Sequence, residues 1–262
     1  MDLTVSEIRS KLQAATADEF AVLERSLVAD TRKGVRQAVE VARRRLEAEA
    51  AEERRLAGLY AFEREMAEAH GGGVVLGLDE VGRGPLAGPL AVGGVVLGDG
   101  APIAGLNDSK QVAPEARELI AAQVREEARA WTVQYVEPEE IDRMGMTAAL
   151  RMAFQRAICA VEEAGISVDV VLLDGNPLHV DEREVNVVKG DGKCASIAAA
   201  SLVAKVARDK LMEEYDVQYP GYGFASNKGY GSEGHATAIR ERGLTPIHRR
   251  SFCGAFAQET LF

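Results

Sequence analysis

Along this chain the spacing of apolar positions changes at the three consecutive glycines 71–73. Before them, residues 4–69 read as helix throughout. Thr4 with Glu7 and Thr16 with Glu19 fit the S/T-x-x-E capping box, which marks the starts of two short helices. A third and longer helix begins near Asp30 or Thr31. Its apolar residues, Val35, Val39, Leu46, Leu56, Leu59, Phe62 and Met66, are too sparse and irregular for a heptad seam, and opposite charges interleave along it. That pattern predicts a solvated helical extension rather than a coiled coil. After the glycines, apolar β-branched runs predict strands over 74–78 and 90–97. Pro114 and Glu115 then signal a helix that continues through 117–129, followed by a strand over 131–136. A short helix at 139–143 precedes a longer one at 147–164, buried on its Leu150, Phe154, Ile158 and Val161 face. The continuous apolar run 168–173 reads as a central strand and 184–188 as a fifth. An alanine-rich helix over 196–214 has side chains small enough to lie close on a sheet. The first three strands form a meander with a helix inserted before the third.

Composition narrows this picture little. At 262 residues the chain can hold one large domain, or one domain with an appendage. The net charge of −10 is uneven: residues 1–70 carry 12 basic and 14 acidic side chains, 71–187 carry 9 and 19, and 188–262 carry 10 and 8. Excess acid in the middle argues against indiscriminate nucleic-acid binding, but not against a local basic groove beside carboxylates that a metal neutralises. Cys159, Cys194 and Cys253 are odd in number and far apart, which disfavours disulfide scaffolds and zinc ribbons and fits a reducing cytoplasm. No basic region followed by an apolar run opens the chain, and no stretch approaches a membrane span, so a cytoplasmic protein without membrane contact is expected.

The candidate chemistry gathers at GLDEVGRGPLAGP, residues 77–89. Asp79 and Glu80 sit where the first strand is expected to end. Neighbours on a strand face opposite sides, so both serve one site only if the chain twists or one of them reaches around. Gly82, Arg83 and Gly84 follow, offering a sharp turn with accessible N–H groups and a guanidinium suited to phosphate. A surface hairpin with a Glu80–Arg83 ion pair is the simpler reading of this stretch alone. Gly82, Gly84 and Ala87 match a dinucleotide-binding fingerprint, but here they lead into a strand instead of a helix. Asp174 ends another strand, ahead of Gly175 and Asn176, and Asp191 lies in a turn after a third. The GDGK around Asp191 lacks the first glycine and the Ser or Thr of a phosphate loop. Four carboxylates at strand ends repel one another unless hard cations sit among them. Oxygen donors without accompanying His or Cys favour Mg²⁺ or Mn²⁺, and two such ions about 4 Å apart can drive in-line phosphodiester hydrolysis. His70, His179, His235 and His248 lack zinc-site spacing, and no serine stands in a nucleophile elbow. Near the C-terminus, Tyr222, Phe224, Tyr230 and Phe252 interleave with Lys228, His248, Arg249 and Arg250, as in a surface that stacks on nucleotides.

GLDEVGRGPLAGP, LNDSK, LLDGN, VVKGD, SIAAASLVAKVARD, YGFASNKGYG and HRRSF resemble the successive motifs of bacterial ribonuclease HII, in order and at similar spacing, over about residues 74–256. The resemblance implies a ribonuclease H-like α/β fold: a five-stranded mixed sheet, its first three strands antiparallel, flanked by helices. Residues 1–70 would be an all-helical N-terminal extension, and 71–262 the catalytic domain with a C-terminal helical substrate-binding part. It implies that Asp79, Glu80, Asp174 and Asp191 are catalytic and hold Mg²⁺ or Mn²⁺. Gly82, Arg83 and Gly84 would read a ribonucleotide 2′-hydroxyl, and Tyr230 would stack on the neighbouring deoxyribose. Lys110, Lys193, Ser196, Ser201 and Lys228 would contact phosphates, and Asp209 would be a helix ion-pair partner. Implied substrates are RNA/DNA hybrids and duplex DNA carrying single ribonucleotides, cut 5′ of the ribonucleotide, in ribonucleotide removal and primer RNA turnover. A monomer is expected. The extension would add substrate contacts through Arg43 to Arg45 and Arg54 to Arg55, dock a replication partner such as the clamp, or stabilise the catalytic domain. Rival readings are a junction resolvase on the same fold and a non-catalytic hybrid-binding protein.

Overall fold

The structure, a computed structural model, describes residues 3–254. The outer ends of the two expected domains, residues 1–2 and 255–262, lie outside the described residues. The chain divides into two compact units, Met1–Ala57 and Gly58–Phe262. In the first, α1 (Val5–Ala14), α2 (Ala17–Leu27) and the beginning of α3 (Lys33–Ala69) enclose a small core around Ile8, Leu12, Phe20 and Val35. Both capping boxes form. Glu7 and Glu19 accept the N–H groups of Thr4 and Thr16, and each threonine hydroxyl accepts the glutamate N–H in return. Four arginines of α3 pair with carboxylates of their own unit. Arg43 pairs with Glu24 and Glu40, Arg44 with Glu40, Arg45 with Glu49, and Arg55 with Glu52. Arg45 also donates to the Leu12 and Ala15 carbonyls, satisfying the open C-terminal end of α1.

The second unit is built on β1 (Val75–Val81), β2 (Leu90–Val96), α4 (Pro114–Glu127), β3 (Ala130–Val136), α5 (Pro138–Met144), α6 (Met146–Glu163), β4 (Val170–Asp174), β5 (Glu184–Val187) and α7 (Ala195–Gln218). The sheet order is β3-β2-β1-β4-β5, with β1, β2 and β3 antiparallel and β4 and β5 parallel to β1. This is the expected five-stranded mixed sheet. β1 runs further than its apolar pattern implies, because Asp79, Glu80 and Val81 pair with Gly93, Val92 and Ala91 of β2.

The two faces of the sheet are covered differently. Leu76, Leu78, Val92 and Val96 meet the Leu150, Phe154, Ile158 and Val161 stripe of α6 in one apolar layer. The other face receives α7 with hardly any side chain between. A Cβ on Gly77 would fall 2.3 Å from the Ser196 carbonyl carbon, and one on Gly93 would fall 2.2 Å from the Ala200 carbonyl oxygen. Glycine in the strands and alanine or serine on the helix are therefore what bring α7 onto the sheet. Beyond α7, α8 (Phe224–Asn227) and α9 (Glu233–Arg242) pack around Tyr222, Phe224, Met212, Ile239 and Ile247. This corrects the reading of the C-terminal aromatics and bases as one stacking surface. Tyr222, Phe224, His248 and Arg249 are buried, while Tyr230 and Arg250 are exposed.

Candidate active site

The pleat decides which carboxylates meet. Gly77 and Asp79 lie on the α7 face of β1, and Leu172 and Asp174 on the same face of β4, whereas Leu76, Leu78 and Glu80 belong to the α6 face. In the parallel register Leu78 lies opposite Leu173, so Asp79 and Asp174, each one position further on, stand side by side where β4 and its pairing with β1 end. Asp191 joins them from the 3-10 turn Gly190–Gly192. Asp174 Oδ1 accepts the Gly190 N–H at 2.6 Å and so fastens that turn to the end of β4. Asp191 is not a helix cap, since Cys194 holds that position on α7. The Glu80 side chain forms the ion pair with Arg83, at 3.1 Å.

Burial pushes the Asp79 carboxyl well above the usual carboxylate range, and the charges of Glu80, Asp174 and Asp191 add to it. The Ser201 hydroxyl offsets part of this. Glu80 is raised mainly by burial, against the pull of Arg83. Asp191 is raised by burial and by Asp108 and Asp174, while Lys110, its Nζ 3.5 Å away, opposes. Among the described residues no group of three or more His, Cys, Asp or Glu side chains is positioned, as it stands, to hold a metal ion. Asp174 is turned to Gly190, Asp191 to Lys110 and Glu80 to Arg83. The donor set nevertheless fits a hard divalent cation. Every donor is a carboxylate oxygen, and Asp79, 5 % exposed, has no cationic partner among the described residues.

Immediately after β1, the chain turns at Gly82, whose φ is +91°. Arg83 and Gly84 are exposed, and the Tyr230 ring lies beside Gly84. Behind this turn sit two arginines, each 1 % exposed or less, that form no ion pair among the described residues. Arg249 donates Nη2 to Gly82 O at 2.6 Å, Nη1 to Arg83 O at 2.9 Å and Nε to Gly88 O at 2.9 Å. Arg208 donates to the carbonyls of Pro89, Lys228 and Ala87. Burial lowers both guanidinium pKa values, and the nearby Arg208 charge helps bring Arg249 to about 9. Six carbonyls replace the lost hydration.

Tyr230 is tied from behind by a histidine pair. The Thr245 N–H donates to His248 Nδ1 at 2.9 Å, so His248 carries its proton on Nε2 and donates it to His235 Nε2 at 3.1 Å. His235 then donates Nδ1–H to Tyr230 O at 2.8 Å. Both rings are neutral in this arrangement. Burial lowers His235, and burial with the neighbouring His235 takes His248 down to about 4.

A family model described as Ribonuclease HII matches residues 76–255, and one described as Ribonuclease HII N-terminal domain matches residues 4–67. The chain belongs to the ribonuclease HII family. Ribonuclease HII of Listeria monocytogenes serotype 4b (strain F2365) is 39% identical over 252 residues, covering 96% of this chain and 95% of that one. Of the solved structures, ribonuclease H2 from Pyrococcus horikoshii OT3 is similar with a TM-score of 0.61 and 26% identity, over 71% of this chain and 98% of that chain. Bst-RNase HIII in complex with Mn²⁺ is similar with a TM-score of 0.60 and 25% identity, over 74% of this chain and 71% of that one. As a member of the ribonuclease HII family, the chain is an endoribonuclease.

The remaining residues that the ribonuclease HII resemblance assigns to substrate are placed unequally. Lys110 is exposed beside Asp191. Lys193 donates Nζ to Val188 O, and Lys228 pairs with Glu213 at 2.7 Å. Ser196 and Ser201 are buried; Ser201 Oγ lies 3.0 Å from Ser109 Oγ. Asp209 pairs with Lys205 one helical turn away, as expected. The structural roles of three residues of this ribonuclease HII chain escape the sequence reading. Glu63 of α3 accepts the Ser196 N–H at 2.6 Å and the Cys194 thiol at 3.2 Å, closing the start of α7. Burial and the Glu63 charge push that thiol up. Arg208 and Arg249 are the others. Arg208 lies four residues from both Ala204 and Met212, which are buried, so helical spacing alone puts it on the inner face of α7.

Proposed function

We propose that this chain hydrolyses the RNA strand of RNA/DNA hybrids and cuts 5′ of single ribonucleotides in duplex DNA, leaving a 3′-hydroxyl and a 5′-phosphate, in ribonucleotide removal and primer RNA turnover. The observation that carries this reading is the pair Asp79 and Asp174, side by side on β1 and at the end of β4, a few residues from the exposed Arg83 and Gly84. Asp79, Glu80, Asp174 and Asp191 would hold Mg²⁺ or Mn²⁺, which when bound supplies the positive charge that polarises the phosphodiester and makes water a better nucleophile. α7 and the sheet fix Asp79 in place, so little reorganisation accompanies the reaction. A water oxygen bonds to phosphorus, the P–O3′ bond breaks opposite it, and the departing O3′ takes up a proton to become the 3′-hydroxyl. The exposed Lys110 ammonium is placed to meet phosphate charge beside Asp191. Lys193 and Lys228 reach phosphates by exchanging their present partners, while Ser196 and Ser201 act from beneath, Ser201 through Asp79.

Only a 2′-hydroxyl separates a ribonucleotide from its deoxy neighbour, and backbone N–H groups at Arg83 and Gly84 are suited to bind it. The half-exposed Tyr230 ring beside them is suited to stack on the next sugar. We propose the division into a helical extension, residues 1–70, and a catalytic domain, residues 71–262. The pairing of Arg43, Arg44, Arg45 and Arg55 with local carboxylates supports a structural role for these side chains within the extension. Asp79→Asn and Asp174→Asn test the site: each is expected to abolish cleavage while the protein stays folded by circular dichroism. Metal-dependent cleavage retained in either variant would contradict the four-carboxylate site.

A further inference from the structure

We infer that Arg249, backed by Arg208, is a positioning residue that turns the peptide N–H groups of Arg83 and Gly84 toward substrate and thereby sets the selectivity for a 2′-hydroxyl. The inference rests on the reading of this turn as the ribose contact.

It follows from peptide geometry. In a trans peptide the carbonyl of one residue and the N–H of the next point in opposite directions, and the described chain has no cis peptide. The Gly82 and Arg83 carbonyls both point inward at the Arg249 guanidinium, at 2.6 and 2.9 Å. The N–H groups of Arg83 and Gly84 belong to those same two peptides and therefore face away from it, on the exposed side of the turn. Among the described residues neither N–H has a hydrogen-bond partner. Two successive outward N–H groups form a small concave donor site suited to an oxygen that carries partial negative charge. A guanidinium is the side chain that can impose this. Its planar fork reaches three carbonyls at once, whereas a lysine ammonium is a single point donor. Arg208 supports the same loop from the far side through Ala87 O and Pro89 O, and links it to the Tyr230 loop through Lys228 O.

Stapling the fold alone would not require the charge. A guanidinium buried without a carboxylate is costly to keep, and two of them side by side repel. What the pair gains is a fixed orientation of the turn, with a positive field behind the two N–H groups that sharpens them as donors.

The test compares affinities for a DNA duplex with one ribonucleotide and for the all-DNA duplex, both in the Asp79→Asn background, which is expected to bind without cutting. The parent preference for the ribonucleotide duplex is expected to fall about tenfold in Arg249→Lys, the effect of misplacing one or two hydrogen bonds. Ile158→Ala, which weakens the core on the α6 face, is expected to leave the ratio unchanged. An unchanged ratio in Arg249→Lys, or an equal fall in Ile158→Ala, would overturn the positioning role. A parent protein without any preference would instead overturn the ribose-contact reading itself. Because Arg249→Lys can fail to fold, amide chemical shifts are also measured in the parent background. The Arg83 and Gly84 N–H signals are expected to move with the ribonucleotide duplex and not with the all-DNA duplex; equal movement with both would overturn the ribose-contact reading, and ribonucleotide-specific movement of other amides but not of these two would overturn the positioning role.

Discussion

Asp79 shows the cost of the site at the scale of one side chain. Its carboxyl is buried beneath α7, surrounded by like charges, and raised well above the usual range by burial first and by Glu80, Asp174 and Asp191 after it. Replacing it with asparagine removes a buried ionisable group at nearly constant volume. Asp79→Asn is therefore expected to abolish cleavage yet raise the melting temperature of the metal-free protein by about 2–4 °C, the shift that ~1 kcal/mol produces in a chain of this size. Calorimetry in EDTA beside a cleavage assay checks both halves, and a lower melting temperature would mean that Asp79 is held by favourable contacts instead. The histidine pair makes a second prediction, with the opposite sign of charge. His248 has a folded pKa of about 4 against an ordinary 6.5, so below pH 6.5 the unfolded chain binds a proton that the folded chain refuses. Stability is thus complete above pH 6.5 and falls as the pH drops toward 4, by roughly 3 kcal/mol over that window. His248→Asn, which keeps an acceptor for the Thr245 N–H but does not titrate, is expected to flatten this slope in urea unfolding between pH 7 and pH 5. Identical slopes in the two proteins would assign the acid sensitivity elsewhere. Residue by residue, the four acids stood out as candidates because each was expected at or just after the end of an apolar strand run. Arg249 did not, because HRRSF reads as an exposed basic run unless the burial of its second residue is known.

Among the elements, α7 is where sequence and site are joined most tightly. Its alanines and serines and the strand glycines form one complementary surface, and Asp79 is paired with Gly93 at the point of closest approach. Gly93→Ala would place a methyl 2.2 Å from the Ala200 carbonyl oxygen, a backbone atom that cannot step aside. The expected loss is about 2–3 kcal/mol in denaturant unfolding, with cleavage reduced as well because Asp79 and Ser201 shift together. A loss below ~0.5 kcal/mol would show that α7 can lift without disturbing the sheet. Alanine content made the closeness of this helix predictable, and the antiparallel meander of the first three strands followed from the apolar runs, whereas the mixed five-stranded sheet came only from the resemblance. The end of β1 was not predictable from hydrophobicity, since Asp79 and Glu80 look like the close of a strand. Pairing with β2 carries the strand through them and places their side chains on opposite faces. The start of α7 is closed by Glu63, distant in sequence and sitting among many solvated glutamates of α3, with no local pattern to single it out.

For the molecule as a whole, the family matches span both the helical extension and the catalytic part, residues 4–67 and 76–255. The acidic total hides a local arrangement in which carboxylates gather at one end of the sheet beside an outward-facing turn and a half-exposed tyrosine. On the proposed reading chemistry and selectivity are separated: the acids would act on any phosphodiester brought to them, while the turn would decide which one arrives. The most direct measurement is product mapping on a labelled DNA duplex that carries one ribonucleotide, in Mg²⁺, Mn²⁺ and EDTA, with all-DNA and long-hybrid duplexes beside it. A single cut on the 5′ side of the ribonucleotide in either metal, none in EDTA and none in all-DNA duplex, is the predicted result. Cleavage that persists in EDTA, or that falls equally on the all-DNA duplex, would contradict it.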